Sequence, residues 1–515
     1  MTNCFSDCET GSESDTASMF ARYSCRLRTS LYIGPLASSW YANRLVSPAE
    51  NGAILPIVHI NGYKISGPTR MGRMSHEELD LEFRGLGYYP IIVDDQGEED
   101  IYVQMANAMD KSYAMITDIQ KRARAGEDID KPQWPVILMR TAKGWTGVSD
   151  FGGRKLEGNC ESHQVIVNKC ATDKDHLAAL DGWLASYKFD ELYSLNEQGE
   201  LVFDAEIQTL IPPLELSCGS QPLAYGGEVA QALSLPNLST LAYGDDTPRG
   251  QRGYSMYKMG EWMRDAFTLN KEQRNLRIFS PDETYSNQLQ AVFEVTDRAW
   301  QWPIESWDDD MARDGRVIEL LSENLLFGML HGYTVTGRHG MFPTYESFSQ
   351  VIASMADQYC KFIYASQGVH FRKPVPACNV VLSSLLERQD HNGYSHQNPS
   401  FLGSALEKHP HITSAYLPAD GNSTLVYTER SFSELDKLNI IVAGKKDLPQ
   451  WLTLDEAREQ AKMGVMTWDF ASDENPDIVM ASCGDYVTQE SMASLVLIRE
   501  LLPRVKVGFV NVSEL

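Results

Sequence analysis

The stretch Ile54-Leu55-Pro56-Ile57-Val58-His59-Ile60 decides the fold class of this chain. It is a short, continuous apolar run, which is typical of a strand buried in a parallel sheet. The run ends at the turn pair Asn61-Gly62, and a capping box at Ser75-His76-Glu77-Glu78 then predicts the start of a helix. A second apolar run, Pro90-Ile91-Ile92-Val93, follows that helix. This order of strand, helix and strand predicts an α/β fold built on parallel sheets.

The same alternation of strands and helices continues along the chain. It predicts a long amphipathic helix at about 99–125 and further strands at 134–139, 277–279, 379–382 and 439–443. Near the C-terminus it predicts a strand at 477–483, a helix capped by Thr488 that runs to Leu502, and a strand at 505–510.

Changes in composition indicate where the domains begin and end. Residues 1–29 are interpreted as a divergent, disordered tail, and the proline- and glycine-rich segment 216–275 as a linker with some helix at 257–268. The remaining pattern assigns a partial α/β domain to 30–215, a second α/β domain to 276–455 and the start of a C-terminal α/β domain to 456–515. Two parallel strands and one helix cannot cover both faces of a sheet. We therefore expect that the chain is cut short, that a partner covers this block, or that its last strand joins an earlier sheet.

Composition and charge exclude several functional classes. The chain has 515 residues and a net charge of −25, which argues against nucleic acid or an anionic membrane as its main partner. No apolar run approaches the ~20 residues that span a bilayer. The first twenty residues carry four acids and no base, unlike a signal or transit peptide, so we expect a cytoplasmic protein. The nine cysteines show no zinc-binding spacing.

Polar side chains follow several predicted strands, and ligands bind parallel α/β sheets where the strands end. The richest such segment is Arg388-Gln389-Asp390-His391-Asn392-Gly393-Tyr394-Ser395-His396-Gln397. Its imidazole, amide and guanidinium groups can bind phosphate, share protons or orient a sugar hydroxyl. The alternative is a well hydrogen-bonded structural loop. Other candidates lie at Asn61 to Lys64, at Arg140 to Trp145, at Glu323 and at Lys445.

Several motifs resemble those of phosphoketolases, from about Ile33 to the last residue. They are Asn61-Gly62-Tyr63-Lys64-Ile65, Ser75-His76-Glu77-Glu78-Leu79, Arg140-Thr141-Ala142-Lys143-Gly144-Trp145-Thr146-Gly147, Ser162-His163-Gln164, Pro281-Asp282-Glu283-Thr284, Arg388–Gln397, and Ala443-Gly444-Lys445 with Pro449-Gln450-Trp451. The resemblance implies an aldehyde-lyase that uses thiamine diphosphate and Mg²⁺. Such enzymes split xylulose 5-phosphate or fructose 6-phosphate with phosphate, giving acetyl phosphate and an aldose phosphate. It also implies tandem transketolase-like parallel-sheet domains, a diphosphate-binding type followed by a pyrimidine-binding type, with the first and last domains incomplete.

The resemblance also implies roles for individual residues. Glu323 would hydrogen-bond the pyrimidine nitrogen of the cofactor, and Tyr345 and Phe348 would pack against the pyrimidine ring, although both rings also suit an ordinary core. Asn61 and the carbonyl of Tyr63 would hold the divalent cation. The remaining roles concern substrate: Lys143 and His163 would line the active centre, Gln389, His391, Asn392 and His396 would bind sugar hydroxyls or phosphate and move protons, and Ser286 and Lys445 would contact phosphate.

The sequence departs from the family pattern at several positions. Leu27-Arg28-Thr29-Ser30 stands where the family has Gly-Asp-Gly-Glu, so an arginine replaces a cation ligand. Gln288 replaces an arginine, Asn324 a histidine and Asn398 an aspartate. Because upstream and downstream parts of the family also lack counterparts, the chain is interpreted as truncated at both ends.

Three interpretations follow from this resemblance and these departures. The first is a phosphoketolase-family enzyme with little or no turnover as a chain of this length. The second is a non-catalytic paralogue that acts as a binding or regulatory partner, and the third is a decayed copy. The expected partners are sugar phosphate, inorganic phosphate, and either a second copy or a full-length homologue in a dimer.

Overall fold

A computed structural model describes residues 35–216, 220, 222–383 and 397–515 of the chain. Its α-helices are α1 (Pro35–Ser39), α2 (His76–Gly85), α3 (Ile101–Arg124), α4 (Lys174–Ala185), α5 (Ala205–Leu210), α6 (Leu238–Leu241), α7 (Ser255–Leu269), α8 (Glu323–Val335), α9 (Glu346–Ser349), α10 (Ala353–Gln367), α11 (Ser400–Leu406), α12 (Gly421–Ser433), α13 (Leu454–Met463) and α14 (Asp485–Leu501). Its strands are β1 (Ile57–Ile60), β2 (Tyr88–Asp94), β3 (Trp134–Arg140), β4 (Asp150–Phe151), β5 (Arg154–Lys155), β6 (Tyr193–Leu195), β7 (Leu201–Phe203), β8 (Arg252–Tyr254), β9 (Leu276–Ser280), β10 (Arg298–Ala299), β11 (Met311–Ala312), β12 (Val317–Glu319), β13 (His339–Thr344), β14 (Cys378–Leu382), β15 (Thr413–Tyr416), β16 (Leu438–Val442), β17 (Asp447–Pro449), β18 (Val465–Thr467), β19 (Ile478–Cys483) and β20 (Val507–Val512).

The chain forms two compact units, and the first comprises Val46–Ser220 with Gln301–Pro303. Its main sheet has three parallel strands in the order β1-β3-β2. The capping box predicted at Ser75 and Glu78 is present and starts α2, whose Leu79 and Phe83 are fully buried. Strand β1 lies at the margin of the sheet, so its side chains are largely exposed although the apolar run predicted a buried strand.

The second unit comprises Met1–Leu45, Gln221–Trp300 and Ile304–Leu515, as far as these residues are described. Its main sheet has eight strands, all parallel, in the order β11-β10-β12-β9-β13-β14-β16-β15. Neighbouring residues of one strand enter different cores, such as Ile278 and Phe279 of β9 or Met341 and Phe342 of β13. This alternation follows from the pleat of a strand and explains why the strands read as continuous apolar runs.

Helices cover both faces of this sheet. Helices α7, α12 and α13 pack on one core, and α8, α10 and α11 pack on the other. Helix α7 lies in the segment that was interpreted as a linker, and its Met256, Met259 and Trp262 are fully buried in the first core. The glycines and prolines of that segment therefore surround a core helix.

The C-terminal block has its own sheet in the order β18-β20-β19, with β18 antiparallel to β20. A single bridge from Tyr416 to Glu514 connects it to the strand β15 of the large sheet. Helix α14 begins at Asp485 rather than at the predicted cap Thr488. The reason is that Gly484, with a φ of 74°, turns the chain, and the Thr488 hydroxyl donates back to the Gly484 carbonyl at 2.5 Å.

Because all eight strands run in one direction, their C-terminal ends lie at one edge, called here the carboxyl edge of the second unit. The carboxyl edge of the first unit is formed in the same way by the ends of β1, β2 and β3. Among the described residues, no helix is both long enough and apolar enough to cross a membrane.

Candidate active site

A loop after β9 crosses the carboxyl edge of the second unit and contacts three neighbouring strand ends. The Glu283 carboxylate accepts the Tyr345 N–H at 3.2 Å, which connects the loop to the end of β13. The Thr284 hydroxyl donates to Glu319 at the end of β12. The side-chain oxygen of Asn287 accepts a hydrogen bond at 2.6 Å from the hydroxyl of Ser383, the residue that follows β14. The loop is therefore fixed by buried polar contacts that no single motif would reveal.

Two aromatic rings and an ammonium lie together beside this loop. The rings of Tyr345 and Phe348 are stacked, with centroids 6.1 Å apart and an interplanar angle of 29°. The Lys445 ammonium nitrogen lies 3.6 Å from the centroid of the Tyr345 ring, within cation–π distance. Three residues proposed from the sequence are thus brought together, although Lys445 follows β16 and the two aromatic residues follow β13.

Ser286 and Glu323 also lie at this edge. Ser286 is exposed on the loop after β9 and donates to the Glu283 carbonyl at 3.3 Å. Glu323 is the first residue of α8, with Ser322 as the N-cap, and it follows β12, the neighbour of β9 in the sheet. Gln288, where the family pattern has arginine, ends the loop in the left-handed region with a φ of 61°.

Two further carboxylates accept backbone N–H groups of the segment that follows β16. Asp420 is fully buried and accepts the N–H groups of Trp451 and Leu452 at 2.9 and 2.7 Å, besides those of Ser423 in its own helix. The Pro449-Gln450-Trp451 motif thus fixes backbone, because the Gln450 side chain also accepts the Gly421 N–H at 2.8 Å. Asp485 accepts the Gly444 N–H at 2.6 Å, and burial raises the pKa of Asp485 to about 6.

A buried ion pair lies at the margin of this edge. Arg298 pairs with Glu319 and also lies 4.2 Å from the Phe293 ring centroid. Burial and the charge of Glu319 raise the pKa of Asp282, which has a φ of 63° at the start of the loop. Negative charge is therefore concentrated here and needs the guanidinium of Arg298 as its counter-charge.

The first unit gathers its candidate residues after β1 and β3. The Lys143 ammonium donates to the carbonyls of Tyr63 and Lys64, both at 3.2 Å. The Asn61 side-chain oxygen accepts the Tyr63 N–H at 3.2 Å, and Gly62 makes the turn with a φ of 83°. Asn61, Tyr63 and Lys143 are therefore neighbours.

A pocket of about 240 Å³ opens beside this turn. Its lining contains a residue that the sequence analysis did not select, His59, whose Nε2 lies 2.6 Å from the Thr141 hydroxyl. A usable signal existed, because His59 precedes Asn61 by two residues and alternate residues of a strand share a face. The lining residues are His59, Asn61, Met139, Thr141, Ala142, Lys143, Gly144 and Trp145.

His163 lies in the short helical turn Cys160–His163, which packs against this pocket wall. A Cβ at Gly144, where φ is 76°, would lie 2.7 Å from the Cβ of Ser162. Glycine therefore permits the close approach of the two segments. His163 itself is exposed, so the structure brings its segment, rather than a fixed imidazole, to the pocket.

The described residues fit the two parts of the implied cofactor site differently. The stacked pair Tyr345 and Phe348 offers an aromatic surface to a heterocyclic ring. The cation ligands fit less well, because the Lys143 ammonium donates to the Tyr63 carbonyl and its positive charge opposes a divalent cation at that oxygen. No group of three or more His, Cys, Asp or Glu side chains in the described ranges is arranged to hold a metal ion. These residues do not by themselves form a Mg²⁺ site.

Several predicted positions lie outside the described residues. They are Gln389, His391, Asn392 and His396 of the histidine-rich segment, and Arg28 of the segment that stands where the family has Gly-Asp-Gly-Glu. Of the other departures, Asn324 lies 3.7 Å from the sulfur of Met355, and Asn398 accepts the Ser400 N–H at 3.0 Å.

Three family models match the chain in succession. The N-terminal domain model of the family matches residues 30–229, the D-xylulose 5-phosphate/D-fructose 6-phosphate phosphoketolase model matches 257–434, and the C-terminal domain model matches 445–515. A probable phosphoketolase from Bradyrhizobium diazoefficiens is 41% identical over 487 residues, which cover 94% of this chain and 60% of that protein. One from Rhodopirellula baltica is 41% identical over 486 residues, covering 94% and 61%. The chain thus spans about 60% of the length of these relatives.

Solved structures show the fold. A transketolase variant from Pichia stipitis has a TM-score of 0.55 at 17% identity, covering 93% of this chain and 63% of that one. Transketolase from Leishmania mexicana has a TM-score of 0.56 at 14% identity, covering 94% and 63%. The predicted fold class, transketolase-like α/β domains with parallel sheets, is confirmed.

Proposed function

The chain belongs to the phosphoketolase family, and from that premise we propose that its site serves carbon–carbon cleavage of a sugar phosphate. The substrate is xylulose 5-phosphate or fructose 6-phosphate, the second reactant is inorganic phosphate, and the products are acetyl phosphate and an aldose phosphate. The cofactor is thiamine diphosphate, which supplies when bound the nucleophilic carbon that this cleavage needs.

One observation carries the proposal: the ammonium of Lys445 lies over the ring of Tyr345 at the carboxyl edge of the second unit. A cation beside an aromatic surface suits a ligand that has a heterocyclic ring near a phosphate. The Glu283 contact to the Tyr345 N–H fixes that surface before any ligand binds. The edge is therefore organised for an anionic, ring-containing complex.

The proposed roles of individual residues concern the cofactor ring, phosphate and the sugar. Tyr345 and Phe348 pack against the pyrimidine, and Glu323, at the start of α8, holds a proton at the pyrimidine nitrogen. Ser286 and Lys445 bind phosphate by charge-assisted hydrogen bonds. The remaining proposed roles are substrate positioning by Lys143 and His163, and hydroxyl binding and proton movement by Gln389, His391, Asn392 and His396. We also propose a dimer, with a second copy or with a full-length homologue, in the cytoplasm.

A second candidate function is a non-catalytic paralogue that binds sugar phosphate and regulates a partner. The contact of Tyr63 favours it, because the Lys143 ammonium at the Tyr63 carbonyl opposes a divalent cation at the same oxygen. The two candidates differ in turnover and agree in ligand binding.

Turnover and ligand binding are both measured on the full 515-residue chain. Acetyl phosphate is quantified with thiamine diphosphate, Mg²⁺, phosphate and either sugar phosphate, and binding of fructose 6-phosphate is measured by calorimetry. We expect Lys445→Met to weaken binding at least tenfold, whereas Lys462→Met, at an exposed lysine, leaves it unchanged. If the chain releases acetyl phosphate and Glu323→Gln abolishes this release, the result supports the enzyme. Binding of fructose 6-phosphate without release of acetyl phosphate supports the regulator. Loss of neither property in Lys445→Met would contradict the site.

A further inference from the structure

The turn after β16 is held in place by the C-terminal helix α14. The Gly444 N–H donates to the carboxylate of Asp485, the first residue of α14, at 2.6 Å. The Gly444 carbonyl accepts the N–H of Met256, at the start of α7, at 3.2 Å. The peptide groups on both sides of Gly444 are thus fixed by different elements.

The space around Gly444 reflects the same close contact with Asp485. A Cβ at this position would lie 2.5 Å from the Asp485 carboxylate oxygen and 2.8 Å from a methyl carbon of Leu448. Any side chain would push the carboxylate away. Glycine at this position therefore permits the close approach of Asp485, and not a left-handed backbone, because Gly444 is not among the residues with positive φ.

Lys445 is the next residue, and its ammonium lies 3.6 Å from the Tyr345 ring centroid. We propose that Asp485 is a positioning residue of the site: by holding the Gly444 N–H, it places Lys445 over Tyr345. That Lys445 then meets a phosphate group of the ligand rests on the proposed function. Through this contact the C-terminal block determines the geometry of a strand end in the large sheet.

A carboxylate in this position is costly, which argues for a role beyond stability. Burial and the negative charge of Asp420 oppose its ionisation, whereas the N–H groups of Gly444 and Tyr486 favour it. A neutral residue of similar size would avoid that cost. Perturbed carboxyl groups of this kind concentrate at functional sites.

The first test needs no ligand and uses the full chain. Hydrogen exchange at the Gly444 amide is compared in wild type, Asp485→Ala and the control Asp455→Ala. Asp455 also lies in the first turn of a helix, but its side chain is 90% exposed and pairs only locally with Arg458. We expect at least tenfold faster exchange at Gly444 in Asp485→Ala, with the amides of β20 unchanged. Unchanged exchange at Gly444 in the folded variant overturns the proposal.

If Asp485→Ala loses protection from hydrogen exchange throughout β20, the variant is unfolded locally, and two milder variants then test the positioning role of Asp485. Gly444→Ala displaces the carboxylate, and Asp485→Asn keeps an acceptor oxygen without the charge. We expect both to raise the rate at which an acylating reagent labels Lys445, several-fold in Gly444→Ala and less in Asp485→Asn. Equal labelling rates in wild type and Gly444→Ala would refute the positioning role.

The second test separates this inference from the proposed function. Inorganic phosphate and fructose 6-phosphate are titrated by calorimetry into wild type, Asp485→Ala and Asp455→Ala. An affinity at least tenfold weaker in Asp485→Ala alone supports positioning toward phosphate, and equal affinities overturn it. If wild type binds neither ligand, the proposed function fails, and exchange at Gly444 and labelling of Lys445 still decide whether Asp485 positions the turn.

Discussion

The carboxyl edges of the two units hold their candidate residues in different ways. In the second unit, buried side chains such as Glu283 and Asp420 fix the backbone that carries the site. In the first unit, Lys143 is held by backbone carbonyls of a partly exposed turn, and His163 is exposed. The central position of β9 in an eight-stranded sheet, against the marginal position of β1 in a three-stranded sheet, accounts for this difference.

This difference indicates which of the candidate residues are held in place before a ligand arrives. A buried polar contact that loses its partner costs more than an exposed one, so buried contacts restrict motion more strongly. We therefore expect the second unit to present a rigid aromatic and cationic surface. The first unit would order its polar groups when a ligand binds. Matched substitutions in the two units test this contrast.

The largest effect is expected at Asp420. Its fully buried carboxylate accepts the N–H groups of Ser423, Trp451 and Leu452, so Asp420→Ala would lower the free energy of unfolding of the second unit by about 4 kcal/mol. The matched control is Asp173→Ala, at the partly exposed N-cap of α4, with an expected loss of about 1 kcal/mol. Native-state hydrogen exchange measures each unit separately. Equal losses would remove the contrast.

A smaller effect is expected from the ion pair of Arg298 and Glu319. Both side chains are largely shielded from water, so Arg298→Met leaves a poorly compensated carboxylate and would destabilise the second unit by about 3 kcal/mol. In the first unit, Arg122→Met breaks an exposed pair with Glu127 and would change stability little, because water screens that pair. Urea unfolding monitored by hydrogen exchange checks both variants. A large loss in Arg122→Met would contradict the prediction.

The pH dependence of stability tests the buried carboxyl of Asp485. Its pKa of about 6 lies above the value of about 4 in an unfolded chain, so the folded state holds the proton more tightly. Between these two values the folded state binds more protons, and this group's contribution to stability therefore falls as the pH rises from about 4 to 6. Asp485→Asn removes that contribution, which we place at up to about 2 kcal/mol.

The measurement is urea unfolding of wild type and Asp485→Asn at several pH values from 4.5 to 7. All other titrating groups are common to both proteins, so the difference between the two curves isolates Asp485. Asp455→Asn is the matched control and should follow wild type. Parallel curves for wild type and Asp485→Asn would show that Asp485 titrates at an ordinary pKa.

The smallest expected effect is a difference in stability loss between substitutions in the two capping boxes. Ser75→Ala would cost the first unit about 1 kcal/mol, because Ser75 and Glu78 are exposed. Thr453→Ala would cost the second unit somewhat more, about 2 kcal/mol, because Glu456 also pairs with Arg249 and depends on the same geometry. Local hydrogen exchange in α2 and α13 measures both. A larger loss for Ser75→Ala would reverse the proposed order.

The sequence predicted the parts of this fold that depend on local pattern. The apolar runs at β3, β14 and β16 gave strands because continuous burial on both faces requires such runs. It did not predict that β1 would lie at an exposed margin, because strand order depends on distant pairing. Helix α7 was predicted at 257–268 and is present at Ser255–Leu269, but the neighbouring prolines and glycines gave no indication that its buried methionines belong to the core.

The candidate site divides in the same way. Tyr345, Phe348 and Lys445 were selected through motif resemblance, and the structure brings them together. Asp485 was not selected, since one aspartate after a glycine carries no local signal of its contact with Gly444. Contacts between residues distant in sequence therefore define the supporting side chains, and only a three-dimensional structure reveals them.

The first unit interrupts the second along the chain, and this has a consequence for biosynthesis. Leu45 is buried in the same core as Phe279 and Ile318, yet residues 46–220 are translated between them. At ordinary translation speeds of ~5–20 residues per second, Leu45 waits roughly 10–50 s for its first core neighbours to leave the ribosome. Residues 46–220, which contain the whole three-stranded sheet, are made within that interval. Its β1, β2 and β3 can therefore pair during translation, whereas the eight-stranded sheet must wait for later strands.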